Sequence, residues 1–203
     1  MDSGGARRGD RPRSSAARGL ARHSVIHIAL LRAVNVGGRN LVGMADLRSL
    51  LSDLGFSNPR TVLQSGNAIF ESESATGRQL EHILERATSE RLGVDTDYFV
   101  RTADQWHAIV ADNPFPDEAR DDPAHLVMSL LKDAPSPARI TALQHTITGR
   151  EVVRARGDHV YLVFPDGIGR SRLTAAVTEK HLATRATGRN WNTVLKLEAL
   201  IQG

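Results

Sequence analysis

The chain has 203 residues, 40% hydrophobic and 24% charged, enough to bury a core as one domain or two small ones. It has no cysteine, which excludes disulfides, thiolate metal sites and cysteine nucleophiles and fits a reducing, cytoplasmic setting. The pI near 9.8 belongs to one segment. Residues 1–22 carry Arg7, Arg8, Arg11, Arg13, Arg18 and Arg22 against Asp2 and Asp10, a net +4, and the remainder sums to −1. A basic face for nucleic acid is therefore not expected on the folded body.

In chain order, residues 1–22 are rich in Gly, Ser, Arg and Ala without periodicity and read as a disordered tail. Val25–Ala33 is a nearly continuous apolar run, too short for a membrane span and interrupted by His27, and reads as a buried strand. Met44, Leu47, Leu50, Leu51 and Leu54 recur at helical spacing, with Gly55 as the stop. Thr61–Leu63 and Ala68–Phe70 flank Gln64-Ser65-Gly66-Asn67, a hairpin in which Gly66 and Asn67 are expected to supply positive φ. Thr76 and Gln79 form a capping box for the next helix, and Val94–Arg101 reads as a strand. The order β-α-β-β-α-β is that of a ferredoxin-like subdomain over 23–101.

A second capping box, Thr102 to Gln105, starts a helix that Asn113-Pro114-Phe115-Pro116 breaks. A strand at His125–Leu131, a helix from Ser136-Pro137, a hairpin turned at Arg156-Gly157-Asp158, a helix near Arg172–His181 and a last helix from about Asn190 to Ile201 follow. The fold class is thus α+β. A ferredoxin-like N-terminal subdomain precedes a second, smaller α+β subdomain over 102–203, similar in layer but without an evident fourth strand, and ending in a helix.

The common catalytic motifs are absent: no Walker A loop, G-x-G-x-x-G after a strand, G-x-S-x-G elbow or H-E-x-x-H. The scattered histidines offer no metal site, and Ser65 has no motif partner. Three polar clusters remain at strand–helix junctions. The first is Arg32, Asn35, Gly37, Gly38, Arg39 and Asn40, where free N–H groups at a helix start and an arginine suit a phosphate or carboxylate. The second holds Gly167, Gly169, Arg170 and Ser171, the materials of an anion-binding nest. The third holds Arg189 and Asn192, beside Trp191, which suits a helix's buried face. Gln64, Ser65 and Asn67 form a weaker fourth candidate. Each cluster also has a plain reading as a turn or cap.

Taken together, Leu30-Leu31-Arg32-Ala33-Val34-Asn35-Val36-Gly37-Gly38, Gln64–Asn67, Asp166–Ser171 and Arg189-Asn190-Trp191-Asn192-Thr193 resemble the bacterial family called domain of unknown function 1697, over about Ile26–Leu200. The resemblance implies two α+β subdomains, the first ferredoxin-like, and a start near residue 24. It implies no activity, substrate or cofactor. Where the family has Arg-Gly-Ile-Asn, this chain has Arg32-Ala33-Val34-Asn35. If that glycine serves a positive φ, Ala33 strains the loop.

The leading expectation is a small-ligand protein that binds an anionic metabolite or nucleotide at the Arg32–Asn40 loop, with the Gly167–Ser171 loop and Arg189 contributing. Catalysis, cofactor and oligomeric state are left open, and no membrane partner is expected. A nucleic-acid module is one alternative, although the strands lack the aromatics such sheets present. The other is an interaction scaffold, in which Arg32, Asn35, Arg170 and Arg189 do not converge.

Overall fold

The computed structural model describes Met1 and residues 24–35, 37, 40–73 and 77–202. The expectations for residues 2–22, His23, Gly38, Arg39 and the cap Thr76 lie outside the described residues. The N-terminal half runs β1 (Val25–Leu31), α1 (Met44–Asp53), β2 (Ser57–Thr61), β3 (Asn67–Ser72), α2 (Gly77–Leu92), β4 (Tyr98–Thr102) and α3 (Ala103–Ala111). A short helix, α4 (Pro116–Asp121), leads into the second half. There follow β5 (Leu126–Leu131), α5 (Pro137–Thr146), β6 (Val152–Arg156), β7 (His159–Val163), α6 (Ala175–Leu182), β8 (Ala186–Asn190) and α7 (Trp191–Ile201).

The two four-stranded antiparallel sheets have the orders β2-β3-β1-β4 and β6-β7-β5-β8. The second half therefore does contain a fourth strand. Its sequence, Ala186-Thr187-Gly188-Arg189-Asn190, carries one β-branched residue and two strand-poor ones, so local preference did not mark it. Pairing with β5 makes it a strand. Three smaller departures have equally local causes. In the β2–β3 turn the positive φ falls on Leu63 (59°) and Gly66 (71°), while Asn67 opens β3. β4 begins at Tyr98, later than the apolar pattern, and α4 forms behind the Pro116 that ended the pattern before it. Asn190 is the N-cap of α7, its Oδ1 accepting the Thr193 N–H at 3.1 Å.

Each sheet carries helices on its outer face. Leu47, Leu50 and Leu51 of α1 and Leu80 and Leu84 of α2 pack on Ala29, Leu31, Ala68, Phe70 and Val100. α5 and α6 pack likewise on the second sheet through Leu143 and Leu182. The inner faces meet around α3 and α7, with Ile28, Leu30 and Phe99 on one side and Met128, Leu130 and Tyr161 on the other. Trp106 and Trp191 are both buried in this shared core. Removing the Trp106 side chain would cost about 3–5 kcal/mol.

The ladder registers put the two halves in correspondence. Leu31 pairs across to Tyr98 as Leu131 does to Ala186, Ile28 to Arg101 as Met128 does to Arg189, and His27 to Thr102 as Val127 does to Asn190. Thr102 caps α3 and Asn190 caps α7 at the matching strand end. On this correspondence Arg32 matches Lys132, His27 matches Val127, Gly66 matches Asp158, Val100 matches Gly188 and Arg101 matches Arg189.

Candidate functional site

The sheets are joined by reciprocal contacts at these matching positions. Arg101 donates through Nη2 to the Leu131 carbonyl at 3.3 Å, and Arg189 donates through Nη2 to the Leu31 carbonyl at 2.9 Å. Lys132 Nζ lies 2.8 Å from Glu81 Oε2 and 2.8 Å from Glu85 Oε1, while Arg32 holds Glu179 with two bonds of 2.8 Å. Glu85 Oε1 accepts the Tyr98 N–H at 3.0 Å, and Glu179 Oε1 accepts the Ala186 N–H at 2.8 Å. Glu85 and Glu179 are thus counterparts. Asp97 and Arg185, themselves matching positions, form an ion pair across the junction.

Arg32 does not offer a free charge. Its hydrogen bond to Glu179 raises its pKa, and Asp97 adds to the effect. Burial pushes the Glu179 carboxyl up, but Arg32 and the Ala186 N–H outweigh it and hold it below the ordinary carboxylate range. Arg32, Asn40 and Arg185 border a cleft of about 270 Å³ together with Glu85, Asp95 and Asp97, three carboxylates against two guanidiniums, a balance that does not favour an anion. Asn35 is a loop staple. Its Nδ2 donates to the carbonyls of Val42 and Gln64, and its Oδ1 accepts the Val42 N–H. Gly37 is exposed at φ 60°.

The second cluster lies elsewhere. Gly167, Arg170 and Ser171 border a cleft of about 230 Å³, and Gly169 faces an open hollow beside His125. Ser171 Oγ donates to Glu151, which lowers the pKa of that carboxyl. Asn192 is exposed on the first turn of α7. The four clusters named from sequence therefore do not form one set of converging charges. Arg189 of the third cluster does meet Ser65 and Asn67 of the fourth, and neighbours of the other two join them. A cleft of about 620 Å³ brings together Ala33, Val34 and Ser65 from the first half with Ile168, Arg189 and Asn190 from the second. Its walls are Leu31, Leu162, Phe164 and Leu173, and Ser129, Thr174 and Thr178 add hydroxyls.

Arg189 is the charged member of this cleft. Its Nε donates to Asn67 Oδ1 at 2.5 Å, its Nη1 to Thr187 Oγ1 and the Gly188 carbonyl, and its Nη2 to the carbonyls of Leu31, Ser65 and Gly66. Every one of these acceptors is neutral. Burial without a counter-charge pushes the guanidinium down to about 10. Arg101, its counterpart, lies 2.9 Å from Asp158 Oδ2 and 3.8 Å from Glu81 Oε1. The same bolt is neutralised in one half and left charged in the other. Asn67, fully buried, completes the joint by donating to the Val62 carbonyl and Ser65 Oγ.

The cleft exists because small residues replace large ones. Counting from the counterparts Glu85 and Glu179, Leu80, Glu81 and Leu84 of α2 match Thr174, Ala175 and Thr178 at the start of α6. Val100 matches Gly188. In the first half these side chains fill the sheet's outer face; in the second the space is open. Ser129, Ala175, Thr178 and Gly188 escaped notice in the sequence. The one local signal was a glycine inside a strand, and that strand itself was not recognisable.

Ala33 has φ 53°, the left-handed region, and borders the cleft. The expected strain is present, at a cost of about 1 kcal/mol relative to glycine.

The architecture has a solved counterpart. The structure of conserved bacterial protein SP0830 from Streptococcus pneumoniae is similar at a TM-score of 0.63 and 20% identity, over 87% of this chain and 98% of that one. No curated protein matches by sequence. The family model described as "Protein of unknown function (DUF1697)" matches residues 25–161, which takes in the Arg32–Gly37 and Gln64–Asn67 motifs and stops short of the other two. With more than half its length matched, the chain belongs to the DUF1697 family.

Proposed function

We propose that the protein binds a small molecule with an anionic group in the cleft beside Arg189. The observation that carries this reading is a half-buried guanidinium whose acceptors are all neutral, bordering a cleft of about 620 Å³. A charge partly withdrawn from water without a counter-charge is costly, and an anion in the cleft relieves that cost. The apolar walls and scattered hydroxyls suit a ligand with an apolar body and a few polar groups. The reading transfers the anion site from Arg32, which Glu179 occupies, to Arg189. Any chemistry there would rest on positioning and electrostatic stabilisation.

The strand order β2-β3-β1-β4, with α1 and α2 on one face, supports reading 23–101 as a ferredoxin-like subdomain and 102–203 as a second unit of the same plan. The lack of cysteine fits a cytoplasmic setting.

The test is a thermal-shift panel of acetate, hexanoate, phosphate and adenosine monophosphate on wild type and Thr178→Leu. That variant introduces the counterpart residue, Leu84, and narrows the cleft without touching Arg189. An anion at 100 times its Kd stabilises by about 2.7 kcal/mol, a rise of roughly 5–10 °C at this size. The rise should shrink in Thr178→Leu. If no anion shifts wild type, the reading is wrong.

A further inference from the structure

On the reading that this cleft binds an anion, we infer that the anionic group is the carboxylate of a small organic acid, seated where the Glu81 carboxylate sits in the first half. The inference comes from an incomplete repeat. In β4, the outward-facing N–H groups of Tyr98 and Val100 are accepted by Glu85 at 3.0 Å and by Glu81 at 2.9 Å. In β8, the matching outward N–H of Ala186 is accepted by Glu179 at 2.8 Å. Gly188, two residues on, turns its N–H to the same edge, because strand N–H groups alternate. Its acceptor would come from the residue four before Glu179 on α6, as Glu81 lies four before Glu85 on α2. That residue is Ala175.

Two carboxylates that attend Arg101 are thereby missing at Arg189. Glu81 becomes Ala175, and Asp158 becomes Gly66. Position 66 cannot supply one. It has φ +71°, and a Cβ there would lie 2.4 Å from Val34 Cγ2 and 2.9 Å from Leu31 Cβ. The missing acceptor must come from the cleft side, which both Ala175 and Gly188 border.

The first half also specifies the shape of the guest. Glu81 uses one oxygen on the Val100 N–H and the other on Lys132, a planar group with two acceptors. At the second site Thr178 Oγ1 already donates to the Thr174 carbonyl, and Thr174 Oγ1 already accepts the Val177 N–H. Thr174 Oγ1 keeps its own proton to give, so this hydroxyl and the Gly188 N–H can meet the two oxygens of one planar carboxylate. Leu31, Val34, Leu162, Phe164 and Leu173 then line the space for the acid's apolar body.

The experiment measures thermal shifts with sodium hexanoate, hexanamide and sodium phosphate on wild type, Ala175→Glu and Ala176→Glu. Ala175 and Ala176 are both exposed and adjacent on α6, so the second variant controls for added charge at the helix start. Hexanoate should stabilise wild type and Ala176→Glu, and hexanamide neither. Ala175→Glu should restore the first-half arrangement and weaken hexanoate about tenfold or more, the loss of one hydrogen bond to a charged group. The reciprocal Glu81→Ala opens room for one carboxylate beside Arg101, where Leu80, Leu84 and Val100 leave none for a longer chain, and sodium acetate should shift it more than wild type. If phosphate shifts wild type and hexanoate does not, the cleft still binds anions and the carboxylate assignment falls. An equal hexanoate shift in wild type and Ala175→Glu also overturns it. If neither anion acts on wild type, both readings fall.

Discussion

The first sheet is covered on its outer face by Leu80, Glu81 and Leu84, with Val100 beneath them; the second carries Thr174, Ala175, Thr178 and Gly188 at the same places. One half spends these positions on its own core and on neutralising Arg101. The other leaves a cleft and an uncompensated Arg189. Two copies of one architecture thus act as each other's control. Where residues match, as with Glu85 and Glu179 on the strand N–H groups, they are structural. Where they differ, as at Ala175 and Gly188, the second half opens a cleft that the first half lacks.

The largest effect should come from the buried ion pairs. Lys132 is more enclosed than its counterpart Arg32, with side-chain exposures of 13% and 36%, and it holds two carboxylates at 2.8 Å, where Arg32 holds Glu179 at 2.8 Å and Asp97 only at 4.0 Å. Lys132→Met should cost about 3–5 kcal/mol by leaving Glu85 unpaired and Glu81 with Arg101 alone. Arg32→Met should cost nearer 1 kcal/mol. Urea denaturation of the two variants decides the order, and equal losses would break the asymmetry.

A second contrast is His27 against Val127. His27 is buried against Phe70 with Nδ1 unpartnered, and burial lowers its pKa. The neutral ring is favoured in the folded state, so its contribution is whole above the ordinary histidine value of 6.5 and is lost as pH falls toward the lowered one. The slope reaches at most about 1.4 kcal/mol per pH unit. His27→Val, the counterpart residue, should flatten that acid limb in melts between pH 4 and 8.

Backbone strain gives a third and smaller contrast. Ala33→Gly should raise stability by about 1 kcal/mol, since φ 53° suits glycine. Asp133→Gly, at the matching position without positive φ, should instead lower it by about 0.5 kcal/mol. Denaturation midpoints at constant slope separate the two.

The smallest effect belongs to Asp97 and Arg185. Arg185 is 63% exposed, so Asp97→Asn should cost about 0.5 kcal/mol at low salt. The difference should vanish near 1 M NaCl.

Several features were legible from sequence because their causes are local. The continuous apolar run of β1, the Thr102–Gln105 capping box and the burial of Trp191 each depend on a few neighbouring residues, while the strain at Ala33 was signalled only by its departure from the family's glycine. β8 was not legible, because Ala-Thr-Gly-Arg-Asn has little strand preference until β5 pairs with it. Nor was the choice of arginine. Arg32 and Arg189 carry the same charge in similar company along the chain. Only the fold sets Glu179 beside the first, 147 residues away, and neutral carbonyls around the second. Sequence by itself marked the apolar stripes that are buried and where most of the helices begin. Tertiary structure decided which charge remains uncompensated, because electrostatic partners are chosen by distance in space, and that distance is created only when the two sheets meet.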